Sequence, residues 1–412
     1  MSVLLFVPPK IVLQTCAKDW ASAIGENAVL FTDVSDATRI IKHLGGVFTK
    51  IEFFTNFNDN DIVEKRALEL HNDYHFRNIV AFAENDVLRT TRLREKIGLS
   101  GPSVEEVIYF RNKYKMKQLV QSENVPVADF KLISNALDLI EFIEYINFPV
   151  VVKPIDGRGS AGVEILSNNE QLNSFLESGT LSRTGPLLAE KFIVGDMYQA
   201  NGLYIEGKCV LISVVKCVNS CLEFLNGDFL GLYMLSDENP IKNKVIDFTH
   251  DLLDRALPMP KNGLFHVEIF HTQDDQLLLC EAACRLGGCI VNDEIRMAYG
   301  VDIRLEYTKT QCIENYQSPL LDNPMPKGRL MGQLNIPPIK GVLQQLPELC
   351  PYDWVEFYKL NGILGKSYNK MAFTNGEIVS FLASGESENQ LQNRFYELVN
   401  WFGKSTIWAA AI

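Results

Sequence analysis

The chain has 412 residues, 47% of them apolar and 22% charged. That balance belongs to a globular protein and excludes a disordered chain, a collagen-like fibre or a charge-dominated tail. Lys and Arg number 39 against 51 Asp and Glu, a net charge of −12, so the overall field opposes a nucleic-acid or other polyanionic partner. The segment from Leu321 onward carries as many basic as acidic residues, so the whole excess lies in the first 320. Such a field suits amines or cationic substrates better than anionic ones. Nine cysteines, an odd number with no C-x-x-C pair, fit free thiols in a reducing compartment rather than disulfides or a zinc ribbon. The opening MSVLLFVPP is too short to span a membrane and lacks a basic n-region, so it reads as a first buried strand of a cytoplasmic protein.

In chain order, strands are expected at residues 3–7, 29–32, 46–51 and 78–82, and helices at 36–44, 59–73 and 86–96. Strands alternating with helices of this length imply βαβ units on a parallel sheet. This N-terminal α/β unit, residues 1–102, has no G-x-G-x-x-G after its first strand, which argues against a dinucleotide site. A second unit, 103–182, opens with a helical period over 104–120. A helix over 135–146, the strand PVVVKP (149–154), a glycine-rich loop (156–162) and a strand at 163–166 follow. From 183 to 320 the runs LLAEKFI, QANGLYI, CVLISVV, GLFHVEIF and QLLLCEAA read as strands of a larger antiparallel sheet. The remainder, 321–412, has Pro/Gly punctuation and a helix near 388–402.

Three stretches carry chemistry. Lys153 sits inside a strand that otherwise reads as buried, where an ammonium requires a counter-charge. The loop after it holds Gly157, Gly159, Ser160 and Gly162, and glycines let backbone N–H groups wrap an anion. Lysine beside such a loop is a polyphosphate grip, although alone the stretch also reads as a flexible turn beside an edge lysine. Second, Glu268 and Glu281 stand on neighbouring expected strands joined by HTQDDQ, a pair suited to Mg²⁺ with substrate phosphates as further ligands. Arg285 follows Glu281 by four residues and precedes Gly287 and Gly288. Its guanidinium fits a phosphate or an oxyanion, and equally a structural pair with Glu281. Third, Glu190, Lys191, Phe192 and Ile193 interrupt an apolar strand before Gly195 and Asp196. There backbone groups could meet an adenine edge, or the stretch is an ordinary amphipathic strand.

The order of these pieces, with Lys113 in RNKYKMKQLV ahead of them, resembles the ATP-grasp superfamily of carboxylate–amine ligases. Within it, the sequence looks most like the L-amino-acid ligases that make dipeptides, over roughly 84–341. The resemblance implies an ATP-grasp fold of the α/β (α+β) class: a Rossmann-like pre-grasp domain, a small subdomain with the flap, a large subdomain with the metal site, and a C-terminal subdomain from GRLMGQLNIPPIKGVL. It implies ATP and Mg²⁺ (or Mn²⁺) as cofactors. Lys113 and Lys153 would contact phosphates, with Gly157, Gly159, Ser160 and Gly162 as the flap. Glu190, Lys191, Phe192 and Ile193 would bind adenine, and Asp196 would take the ribose. Glu268 and Glu281 would be the metal ligands. Arg285 and the Gly288 N–H would act at the reacting carbonyl, with Glu84, Gly287, Gly288 and Cys289 bordering the amino-acid substrates. Two departures matter. Where many relatives have E-x-N-x-R, this chain has Ala283, which cannot ligate; and where many have an acidic ribose contact it has Met197. Open alternatives are loading of an amino acid onto a carrier-protein thiol, a purine-pathway or peptidoglycan-type ligase, and a nucleotide-binding protein without turnover. Small amino acids are the implied partners, with no nucleic acid and no membrane, and a homodimer is one candidate assembly.

Overall fold

The computed structural model describes residues 2–325, 327–371, 374 and 376–410. The N-terminal unit is a four-stranded, fully parallel sheet of Ser2–Phe6, Ala28–Asp33, Lys50–Phe54 and Phe76–Ala81, in the spatial order third, second, first, fourth. Alternation sends successive side chains to opposite faces. Leu5, Leu30 and Val80 pack with Trp20, Ile24 and Ile40 on one face. Leu4, Phe6, Val29 and Phe31 pack with Val63, Ala67, Leu70 and Leu93 on the other. With both faces covered, the two central strands, Ser2–Phe6 and Ala28–Asp33, are almost wholly buried and stand out in the sequence, whereas the edge strands carry Lys50, Glu52, Arg77 and Asn78. The expected strand at 46–51 begins later, at Lys50. Gly45 and Gly46 both take positive φ and close the preceding helix, so the chain has to turn before it can extend. The short helices Pro9–Gln14 and Ala17–Ile24 were not anticipated. Each is under three turns, too short for a clear period.

The helix expected over 104–120 is broken. A capping box of Ser103 and Glu106 starts a single turn at Val104–Val107, which tightens through 108–110. A new helix, Lys113–Ser122, begins at Asn112, whose side chain accepts from the Lys115 N–H at 3.0 Å. The break places Lys113 in the first turn of a helix that faces the site. Val125–Val127 forms no strand and contributes one bridge, Val127 to Leu279. LLAEKFI, expected in the large sheet, belongs instead to the small one. Leu187–Lys191 is a central strand between Phe130–Ile133 and Val150–Pro154, with Glu164–Leu166 at the far edge. Its first four residues are buried, and the side of Leu187 and Ala189 packs against Ile133, Leu139, Phe142 and Val152.

The large sheet has eight strands. In spatial order they are Leu277–Ala283, Gly263–Thr272, Gly195–Ile205, Lys208–Cys217, Leu230–Met234, Met331–Ile336, Val379–Ser384 and Val355–Leu360. The last three come from the C-terminal segment, which therefore extends this sheet. One face carries Ala200, Val214, Phe265, Val267, Leu334 and Phe381. It is covered by Met116 and Val120, by Val245, and by Leu391, Phe395, Leu398 and Phe402 of the helix Glu388–Ser405. On the other face Leu203, Leu211 and Leu264 pack under Val291 and Ile295 of the helix Val291–Tyr299, and polar groups follow towards the edge strand. Among the described residues no helix is long and apolar enough to cross a membrane.

Candidate active site

On that second face the register aligns a polar row. Gln199 lies opposite Glu268, and Glu268 opposite Glu281. Directly opposed residues on antiparallel strands share a face, so the two carboxylates expected as a pair do stand side by side. A bulge follows them: Glu268 pairs with Glu281 but Ile269 with Leu279, leaving Cys280 as the extra residue. Such a bulge re-aims the side chains next to it. One step along the strands lies a second row, Asn201, His266 and Ala283. His266 Nε2 lies 3.2 Å from Glu268 Oε1. Burial pushes the Glu268 carboxyl up. The contact with His266 and the charges of Arg285 and Lys153 outweigh that, and it stays below the usual carboxylate range.

The lysines converge from two elements. Lys113 Nζ donates to Glu281 Oε1 at 2.9 Å and to the Gly157 carbonyl of the flap at 2.6 Å. Lys153 Nζ sits 2.9 Å from Glu190 Oε2. Glu190, expected at the adenine edge, uses its side chain otherwise. It is buried between Lys153 and Lys117, whose Nζ lies 3.2 Å from Glu190 Oε1 and donates to the Leu279 carbonyl at 3.0 Å. Lys117 is completely buried and was not singled out in the sequence. Its signal was available: it follows Lys113 by one helical turn, on the same face. Burial raises the Glu190 carboxyl, but the two ammonium groups win and hold it low. In turn Glu190 holds the Lys153 ammonium above its ordinary value against its own burial.

Glu84 enters from the N-terminal unit, in the first turn of the helix Glu84–Lys96. Its Oε1 pairs with Arg111, and its Oε2 accepts from Arg285 Nε at 2.8 Å and from Nη2. Burial opposes ionisation. The guanidiniums of Arg285 and Arg111 more than compensate and bring the carboxyl down to about 2. Arg285 Nη1 also donates to the Leu286 carbonyl at 2.7 Å. A guanidinium has five N–H groups, so two remain for a ligand. Glu84 thus acts on Arg285, while the loop beyond it stands open: Gly288 is exposed, and Cys289 has φ 56° and faces the Thr374 carbonyl at 4.0 Å.

The flap residues Gly159, Ser160 and Gly162 all have positive φ, a run that two glycines make accessible. Lys191 is exposed, and the Phe192 N–H is taken by the Pro149 carbonyl at 3.2 Å. Ile193 is half-buried beyond them. Asp196 lies opposite His271, three positions along the strand from Gln199, and pairs with Lys216 at 2.7 Å. It is not brought to the carboxylate pair. All nine cysteines are free. Among the described residues no three His, Cys, Asp or Glu side chains are placed to hold a metal ion unaided. Glu268 and Glu281 each make their polar contacts through Oε1 alone, which fits a divalent cation that completes its shell with phosphate oxygens.

The sequence pattern of the ATP-grasp domain matches residues 146–293, which hold the flap, Lys153, Glu190, both carboxylates and Arg285. Residues 146–293 form an ATP-grasp domain. The chain is 26% identical, over 352 residues and 81% of either sequence, to an L-arginine-specific L-amino acid ligase of Bacillus subtilis. It is 29% identical over 164 residues to a D-alanine–D-alanine ligase of Helicobacter pylori, covering 39% of this chain and 40% of the other. Its fold superposes on the crystal structure of an L-amino acid ligase from Bacillus licheniformis with a TM-score of 0.78. That match covers 100% of this chain and 99% of the other at 17% identity.

Proposed function

We propose that this protein joins the carboxylate of one amino acid to the amine of a second, producing a dipeptide, ADP and phosphate. One observation carries the reading: Lys113, Lys153, Glu268, Glu281 and Arg285, drawn from one helix, three strands and the loop after the last strand, converge around one face of the large sheet. Its likeness to an L-amino acid ligase over 81% of both chains supports the substrate class.

The carboxylate oxygen of the first amino acid attacks the γ-phosphorus, and ADP leaves. Glu268 and Glu281 would hold a magnesium ion, which would supply charge neutralisation at the phosphates. Lys113 and Lys153 are held by carboxylates that a triphosphate can replace as counter-charge, so the protein meets the transferring group with preset cations. The acyl phosphate that results is open to water. The glycine flap, tethered at Gly157 by Lys113, is placed to shield it. The second amine then attacks the carbonyl and phosphate leaves. The two spare N–H groups of Arg285 and the exposed Gly288 backbone meet the developing oxyanion. Glu84 holds Arg285 in place throughout, which fixes the fork without consuming it. Free thiols throughout support a reducing, cytoplasmic setting.

The test is a matrix of amino-acid pairs with ATP and Mg²⁺, read by phosphate release and product mass. Dipeptide with ADP is the expected result. Pyrophosphate and AMP would replace the acyl phosphate with adenylation, and nucleotide binding without turnover for any pair would overturn the reading.

A further inference from the structure

Asn201 and His266 are almost fully buried, 1% and 6% exposed, in the row beside the carboxylate pair. Neither belongs to the phosphate or metal set above. Asn201 Oδ1 accepts two hydrogen bonds: one from the Gly287 backbone N–H at 2.9 Å, the other from His266 Nδ1 at 2.9 Å. Because the Gly287 N–H can only donate, it fixes which end of the Asn201 amide points inward. The same oxygen, as an acceptor, requires a proton on His266 Nδ1. The opposite edge of the ring, Nε2, then meets Glu268 Oε1 at 3.2 Å. A continuous chain of contacts therefore runs from a carboxylate on one strand, through two side chains, to the backbone of the loop that carries Arg285 and Gly288.

The fit at the loop end is tight. A Cβ built on Gly287 would stand 2.9 Å from Asn201 Oδ1, 3.0 Å from His266 Nδ1 and 3.2 Å from a Val291 methyl. Only glycine lets the loop come this close. Ala283, across the strand from His266, adds no polar group, so nothing on that side competes for the ring.

The geometry points to Asn201 and His266 as positioning residues that join the Glu268 carboxylate to the Arg285–Gly288 loop, so that the metal ligand and the oxyanion donors are held as one unit. The metal and oxyanion roles rest on the proposed function; the mechanical link between the two places does not. Outer-shell partners of this kind typically change metal affinity or activity ten- to a hundredfold when removed.

The experiment perturbs the loop end and reads the metal end. Mn²⁺ binding is measured by electron paramagnetic resonance in the presence of ADP, for the wild type, Asn201→Ala and Gly287→Ala, neither of which alters a carboxylate. The expected result is Mn²⁺ binding weakened about tenfold or more in both. Asn201→Ala with His266→Ala should together do little more damage than the worse single change. Thermal melting with the milder Asn201→Ser separates a lost link from a lost fold. Folded variants with unaltered Mn²⁺ affinity, or single effects that simply multiply, would overturn the link. In the ligation assay, Asn201→Ala should lower kcat while leaving KM for ATP near its wild-type value, since the lysines are untouched. A wild type that binds Mn²⁺ with ADP yet forms no dipeptide would instead refute the function reading, and the Mn²⁺ comparison would still decide the link.

Discussion

Glu294 lies in the first turn of the helix Val291–Tyr299, directly after the Gly288 loop, and is 1% exposed. Its Oε2 accepts from Gln333 Nε2 at 2.9 Å. Its Oε1 is buried without a hydrogen-bond partner, and no cation is paired with it among the described residues. Burial pushes this carboxyl up to about 8 from the usual 4.5, against a small opposing effect of Gln333. Between those two values the folded state holds a proton that the unfolded chain has released, so stability falls as pH rises. At about 1.4 kcal/mol per pH unit, the loss between pH 5 and pH 8 comes to roughly 3 to 4 kcal/mol. Glu294→Gln keeps the shape and the amide contact and removes the titration. Urea unfolding of both proteins at pH 5, 6.5 and 8 should therefore show similar midpoints at pH 5 and a variant increasingly more stable towards pH 8. Parallel pH curves for the two proteins would refute the reasoning.

Lys153→Ala and Glu281→Ala should each abolish ATP-dependent ligation; retention of more than about a tenth of turnover, a barrier change of about 1.4 kcal/mol, would remove either from the site. Lys117→Met leaves Glu190 with a single counter-charge, so urea unfolding should report a loss of about 3–5 kcal/mol, and a neutral result would show that Lys153 alone satisfies the carboxylate. Arg285→Lys keeps the charge but loses the fork to Glu84, so acceptor-dependent product should fall more than acceptor-free phosphate release. Cys289→Trp should exclude large acceptors while admitting Gly or Ala, read as the ratio of kcat/KM for a small and a large acceptor; an unchanged ratio in a folded variant would place Cys289 outside the pocket.

The parallel sheet of the N-terminal unit was legible because its central strands, buried on both faces, are written as apolar runs. Glu268 and Glu281 were legible because a carboxylate inside such a run needs a reason. What escaped was pairing over distance. LLAEKFI has the same composition in either sheet, and only its neighbours Ile133 and Val152 decide which one it joins. Lys117 escaped because one polar residue on an amphipathic helix looks solvent-facing until its partners, Glu190 and Leu279, are known. Asn201 and His266 are 65 residues apart in the chain, and the 2.9 Å contact between them has no local trace. His266 did carry a hint, two positions before Glu268 on one strand and so on the same face. Glu84 was expected to border the amino-acid substrates; in the structure its carboxylate is taken up by two guanidiniums, those of Arg111 and Arg285.

The large sheet runs without interruption from the edge strand of Glu281 to Val355–Leu360, and its middle is a seam between distant parts of the chain: Leu230–Met234 hydrogen-bonds to Met331–Ile336. A chain ended near residue 320 would keep every proposed catalytic group yet bare the edge of Leu230–Met234, all five residues of which are buried. An exposed apolar edge of that kind recruits other chains. Lys10 and Glu377, 3.0 Å apart, also tie the N-terminal unit to the C-terminal segment. The protein is therefore not divisible into a catalytic part and an accessory tail: ribosomal synthesis has to pass well beyond the last proposed active-site residue before the sheet that carries that site can close.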